Sequence, residues 1–259
     1  MPIDLDDIFG RINPDAAWGG SAGSGVRIGI VDSGVDGEHP LLRGRVTGGV
    51  VIGETDDHIE YAKYDGRDSS GHGTACAGII SRIAPEAEIV SVKVIGASGA
   101  SGRTFVAGIA WALEQECQVI NVSLGTTDRR YFEALHELAE IAYYNDAIIV
   151  SAAENTGRRS FPSTFSSLIS VDYDNIQDPL RFLYAPANRI EFVAPGVNVE
   201  APVPGGGVMR HTGSSFAAPH ISGIIALILS KHPHLKPFEI KTILYSLARR
   251  WEGGGDEST

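Results

Sequence analysis

Cysteine is scarce: only Cys76 and Cys117 occur in 259 residues. Two thiols make no disulfide framework, and neither reads as lying in a CxxC pair or near a histidine at ligand spacing, so no zinc or other metal site is expected. Reduced, buried thiols are the expectation. Long apolar runs are absent too. The longest, "GIIALILS" from Gly223 to Ser230, falls well short of the roughly 20 residues that cross a bilayer, which excludes a helical membrane span. The chain also lacks an excess of basic charge. A formal net charge of −11 repels nucleic-acid phosphates, so no nucleic-acid partner is expected. The first residues, "MPIDLDDIFG", carry acids where a secretory leader carries lysines before an apolar core, and a cytoplasmic location is expected unless an upstream segment was removed. No linker-like stretch interrupts the sequence. One domain over residues 1–259 is expected, with its core at about 26–250 and a frayed acidic tail at 252–259.

What is present is a set of short runs rich in valine and isoleucine: "VRIGIVD" (26–32), "EIVSVKVI" (88–95), "QVINVSLG" (118–125) and "AIIVSAA" (147–153). Their continuous apolar character predicts strands buried on both faces. Between them, "TFVAGIAWALEQE" from Thr104 and "YFEALHELAEIAYY" from Tyr131 repeat apolar residues at three- and four-residue steps and predict helices. Two more helices are predicted, from Ser215 to Ser230 and from Pro237 to Arg250. Strand alternating with helix implies an α/β fold on a parallel sheet, whose ligand crevice lies beyond the carboxyl ends of the strands. The polar residues there are Asp32 and Ser33, Ser123 with Leu124 and Gly125, and Glu154 with Asn155.

Three motifs gather the chemistry. Alone, "VDSG" (31–34) reads as a strand end and Asx turn, "GHGTACAG" (71–78) as a helix start capped by His72, and "GSSFAAP" (213–219) as an N-cap serine before small packing residues. Together they supply a carboxylate, an imidazole and a hydroxyl on three separate elements, as a catalytic triad requires.

The blocks "IVDSGVDGEHP", "GHGTACAGI" and "TGSSFAAPHISG" resemble the signatures of the subtilisin-like serine proteases, the subtilase family, in whose order of triad residues they occur. "VINVSLG", "VSAAENTG", "FVAPGV" and "ALILSKHP" extend the likeness from about Val26 to Leu247. The resemblance implies a three-layer fold, a mostly parallel central sheet flanked by helices. It implies that Ser215 attacks a peptide carbonyl, that His72 takes and returns the proton, that Asp32 orients the imidazole, and that Asn155 donates to the oxyanion. Gly99, Ala100 and Ser101 within "GASGAS", and Ser123, Leu124 and Gly125, correspond to two edges between which an extended peptide adds as a strand. Arg158 and Arg159 should border the pocket for the residue before the cleaved bond and bias it toward acidic or polar side chains.

Departures from the family pattern carry information. Ser214 stands where the family has threonine, and Glu154 where it has glycine; Glu154 is expected to turn to solvent. The loop after the histidine-bearing helix is short, and Leu41 follows "HP" where secreted relatives place a calcium-binding aspartate. No tight calcium site, and no cofactor, is therefore expected. The usual inhibitory prodomain is not in the sequence, and "PGGGVMRHTGSSFA" (204–217) is similar to proteases that trim precursor peptides in cyanobactin-type pathways. The expected partner is a peptide or unfolded protein, with a biosynthetic precursor peptide as the narrower reading. The alternatives are a peptide ligase or macrocyclase working through the same acyl-enzyme, and an inactive peptide-binding protein on the same fold.

Overall fold

The computed structural model describes residues 12–55, 58–96, 99–185 and 190–252. Residues 253–259 of the expected tail, and Ala97 and Ser98 of the "GASGAS" edge, lie outside them.

The apolar segments form the middle of a nine-stranded sheet. Its strands are β1 (Arg27–Asp32), β2 (Val46–Glu54), β3 (Ile59–Lys63), β4 (Glu88–Lys93), β5 (Val119–Val122), β6 (Ile148–Ala152), β7 (Ile169–Asp174), β8 (Leu183–Tyr184) and β9 (Phe192–Pro195), in the order β3-β2-β4-β1-β5-β6-β7-β9-β8. All neighbours are parallel except the edge pairs β2–β3 and β8–β9. β10 (Val199–Val203) and β11 (Gly207–His211) form a separate antiparallel hairpin. The expected strand at 88–95 ends at Lys93, because the backbone N–H groups of Val94 and Ile95 both turn onto the Asp32 carbonyl.

Helices cover both faces, giving the three layers. They are α1 (Pro14–Trp18), α2 (His72–Ile83), α3 (Gly102–Glu114), α4 (Phe132–Tyr144), α5 (Ser214–Lys231) and α6 (Pro237–Glu252). One apolar cluster joins α1, α2, α5 and α6 to side chains such as Ile28, Ile30 and Val150. The other joins α3 and α4 to Val31, Val92, Ile120 and Ile149. The strict alternation of neighbours Ile30 and Val31 between the two clusters is the period of two that a strand imposes.

α5 is apolar all round, and every residue from Phe216 to Leu229 is buried, so it runs through the interior. It begins at Ser214, one residue before the predicted start, with Gly213 as its cap. Pro219 lies inside it and has no N–H to give the Ser215 carbonyl four residues earlier. That oxygen accepts instead from the Ser123 hydroxyl at 3.0 Å and the Cys76 thiol at 3.5 Å. The proline thereby ties the head of α5 to β5 and α2.

Candidate active site

The carboxyl ends of β1, β5 and β6 lie level, with Val31 opposite Val122 and Val122 opposite Ser151. Asp32 closes β1 and is fully buried. Both its oxygens lie 2.9 Å from Nδ1 of His72, which opens α2 and keeps its side chain 28% exposed. Because the carboxylate can only accept, Nδ1 carries the proton and Nε2 presents a lone pair. Burial by itself favours the neutral ring, but the charge of the Asp32 carboxylate and its hydrogen bond to Nδ1 override it and raise the imidazole pKa above its ordinary value. His72 does not cap its helix as the bland reading had it. The N-cap is Gly71, in the left-handed region at φ 86°.

The approach of α2 to β1 explains the glycines of both motifs. A Cβ on Gly73 would stand 2.1 Å from the Gly34 carbonyl oxygen and 3.2 Å from Cβ of Asp32. Only glycine lets the two elements come this close.

Asp68 fastens the same junction. Its Oδ1 accepts from the Ser33 hydroxyl at 2.6 Å and from the N–H groups of Ser70 and Gly71, and its Oδ2 from the N–H and hydroxyl of Thr74 at 2.8 and 2.6 Å. One carboxylate thus links the residue after Asp32 to the first turn of α2, at the positive end of that helix. Sequence reading missed it. An aspartate three residues ahead of the capping glycine is the signal that was available.

Cys76 lies one turn after His72 and is fully buried, its sulfur 4.0 Å from Nδ1, 3.9 Å from Asp32 and 3.5 Å from the Ser123 hydroxyl. The expectation that no histidine stands near a cysteine is corrected here: Asp32, His72 and Cys76 bring three possible ligand atoms within 4.8 Å of one another. Helical spacing of four residues does this. Burial raises the Cys76 pKa and keeps the thiol protonated. Cys117 is also free and buried, as expected.

Ser215 is the second residue of α5. Its hydroxyl donates to the Ser123 carbonyl oxygen at 3.1 Å, not to His72. Phe216 packs its ring 5.1 Å from the imidazole. Asn155 follows β6 on an exposed loop, and its Oδ1 accepts from the Ser214 N–H and lies 3.0 Å from the Ser214 hydroxyl. These contacts fix which end of the amide is which, and Nδ2 is left to donate. Glu154 does not simply face solvent. Its Oε2 accepts from the N–H and hydroxyl of Thr156 and the N–H of Arg158, and the Thr156 hydroxyl, with these N–H groups, holds the carboxyl below its usual pKa. It braces the loop that carries Asn155.

Gly99, Ala100 and Ser101 follow β4, and Ser123, Leu124 and Gly125 follow β5, so both expected edges stand at the carboxyl rim. Two serines in them have other duties: the Ser101 hydroxyl caps α3 and donates to Glu54, and the Ser123 hydroxyl holds the Ser215 carbonyl. Arg158 and Arg159 are exposed. Arg158 Nε turns to Thr156, and the Arg159 guanidinium lies 5.7 Å from the centre of the Phe161 ring. A cavity of about 950 Å³ opens at the amino ends of the strands around Arg27, Glu88 and Gln118, away from these groups. Asp32, His72 and Ser215 all stand at the carboxyl rim of the sheet.

A parallel α/β sheet with an aspartate-oriented histidine and a helix-head serine at its carboxyl edge defines the class, the subtilisin-like α/β fold. The chain belongs to the subtilase family, whose description it matches over residues 23–258. It is 31% identical to subtilisin E of Bacillus subtilis over 88% of its own length and 62% of that protein, so it spans less than two thirds of that relative. It is 32% identical to an intracellular serine protease of Paenibacillus polymyxa, over 84% of this chain and 70% of the other. Its fold is similar to the crystal structure of a lanthipeptide protease, with a TM-score of 0.70 and 25% identity over 85% of this chain and 78% of that one. Among the described residues no helix is long and apolar enough to cross a membrane.

Proposed function

We propose that this chain is a serine endopeptidase in which Asp32, His72 and Ser215 form the triad and Asn155 donates to the oxyanion. The observation that carries the reading is the 2.9 Å contact of buried Asp32 with His72 Nδ1, which leaves Nε2 as a base beside the head of α5. For attack, the Ser215 hydroxyl rotates from the Ser123 carbonyl to His72 Nε2, a tightening common on substrate binding. His72 takes the hydroxyl proton as Ser215 Oγ bonds the carbonyl carbon, and returns it to the leaving amine. Water then cleaves the acyl-enzyme by the same base. Asn155 Nδ2 and the amides at the start of α5 supply donors to the oxyanion.

The substrate is an extended peptide, and a dedicated processing role on a peptide or protein precursor is supported by the likeness to a lanthipeptide protease. An intracellular setting is supported by the likeness to the P. polymyxa protease. The test is digestion of a reduced, unfolded protein with mass-spectrometric reading of new termini. Wild type generates them and Ser215→Ala does not. Equal cleavage by both proteins refutes the assignment.

A further inference from the structure

The interior helix α5 carries a histidine, His220, that takes no part in the proposed triad. It is only 3% exposed, and its Nδ1 lies 2.9 Å from the Phe216 carbonyl oxygen, one turn back along the helix. A carbonyl can only accept, so Nδ1 carries the proton and Nε2 presents a lone pair. Among the described residues Nε2 has no hydrogen-bond partner. Burial, with the charge of Arg82, pushes the imidazole pKa down to about 4 against the pull of the Phe216 carbonyl, so the ring is neutral near pH 7. A buried acceptor left without a donor is costly, which points to an occupant beside it.

The His220 ring lines a cavity of about 230 Å³ where α2, α5 and the β10–β11 hairpin meet. That is smaller than the roughly 300 Å³ at which pockets for drug-sized ligands begin, so it suits a small group. Arg82, in the last turn of α2, and Arg210, on β11, line the same cavity. One Arg82 N–H is given to the Glu200 carbonyl oxygen, and the guanidinium has others to give. Arg210 is exposed, and its side chain makes no hydrogen bond or ion pair among the described residues. Glu200 is the one carboxylate on the cavity among those residues. It stands opposite Arg210 in the hairpin register, yet pairs with neither arginine. Two cations therefore face one anion, with donors to spare.

The cavity asks two things of one occupant: acceptors for the arginines and a donor for Nε2. A carboxylate or a sulfate near pH 7 supplies only the first. A phosphate group supplies both while it keeps one proton, and on an ester its second pKa, about 6, lies close to neutral. A dianion reaches the same arrangement by taking up one proton. We propose that Arg82, Arg210 and His220 form a binding site for a phosphate group, whose oxygens accept from the two guanidinium groups and whose hydroxyl donates to His220 Nε2. The site does not depend on the protease reading. Its occupant ties together α2, which carries His72, α5, which carries Ser215, and the hairpin between them in space.

The test titrates inorganic phosphate into the full chain near neutral pH at constant ionic strength. It reads the His220 Nε2 signal by NMR of protein made with isotope-labelled histidine, and Tm by calorimetry. The expected result is a saturable shift of Nε2 to a hydrogen-bonded position, with Tm rising as the site fills. Arg210→Gln changes an exposed strand position and is expected to weaken binding about tenfold or more. Sulfate, similar in shape and charge but without a proton to donate, is expected to bind about tenfold more weakly than phosphate. A phosphoserine peptide, titrated in parallel, identifies the source: tighter binding than inorganic phosphate marks a phosphorylated chain, and weaker binding marks free phosphate. No saturable shift of Nε2 with either probe overturns the proposal. So does undiminished binding by Arg210→Gln, which places the anion elsewhere, and so does equal binding of sulfate, which leaves His220 without a role.

Discussion

Ser214 holds Asn155 from two atoms: its N–H donates to Asn155 Oδ1 at 3.0 Å, and its hydroxyl lies 3.0 Å from the same oxygen and 2.5 Å from the Ala153 carbonyl. The serine beside Ser215 thus orients the proposed oxyanion donor. Asn155→Leu is expected to lower kcat by about 10² to 10³ with little change in KM. Ser214→Ala keeps the backbone contact and loses one hydrogen bond, worth about 1 kcal/mol or roughly fivefold in kcat. Steady-state kinetics on one peptide substrate check both, and a Ser214→Ala loss as deep as that of Asn155→Leu would contradict the division of roles.

Asp68 predicts a second effect. Asp68→Asn places an amide N–H₂ against donors from Ser33, Gly71 and Thr74, and leaves some of them unpaired. At about 1.5–3 kcal/mol for a charged acceptor and 2–4 °C per kcal/mol, Tm is expected to fall by roughly 3–12 °C. Below that melting range kcat should fall at least tenfold with KM held, since the loss is one of placement between Asp32 and His72. Calorimetry and kinetics together test this.

Gly73→Ala is a steric test of the same junction. The new methyl meets the Gly34 carbonyl at 2.1 Å, so activity should be lost and Tm should drop by roughly 5–10 °C. A well-folded, active Gly73→Ala protein would mean that α2 and β1 can separate without penalty.

The pH profile follows from the raised pKa of His72. The base works only when neutral, and raising its pKa moves the neutral form to higher pH. The acid limb of kcat/KM should therefore lie above about 6.5, the ordinary imidazole value, with activity lost as pH falls through it. Asp32→Asn removes the charge that raises the pKa, so the residual activity, reduced by up to about 10⁴, should show a limb at lower pH. A limb that stays in place in Asp32→Asn contradicts the pairing.

The absence of a tight calcium site remains a proposal with a direct check. Four residues join α2 at Ile83 to β4 at Glu88, which leaves little chain for an oxygen cage. Thermal unfolding with excess EDTA and with added calcium should give the same Tm. A calcium-dependent rise would show a cation site elsewhere in the fold.

The central strands and the helices with a three- or four-residue apolar repeat were legible because burial on one or both faces writes its period into the residues. β10 and β11 were not, since "APVPGGGVMRH" combines prolines, glycines and exposed side chains, and what holds it is contact with Asp36 and His39 far away in sequence. Asp32, His72, Asn155 and Ser215 were singled out through family motifs, not through spacing. Asp68 was not, because its meaning lies in Ser33, 35 residues earlier. Glu154 was visible as an anomaly, but its direction depended on the donors of Thr156 and Arg158, which only the folded loop supplies.

The most direct measurement of the central claim is labelling with a fluorophosphonate, followed by peptide mapping of the adduct. The expected result is one adduct per chain, on Ser215, formed by wild type and lost in Ser215→Ala, with labelling in His72→Ala slowed by several orders of magnitude. No adduct on folded wild-type protein, or an adduct that persists in Ser215→Ala, would contradict the assignment of Ser215 as an activated nucleophile.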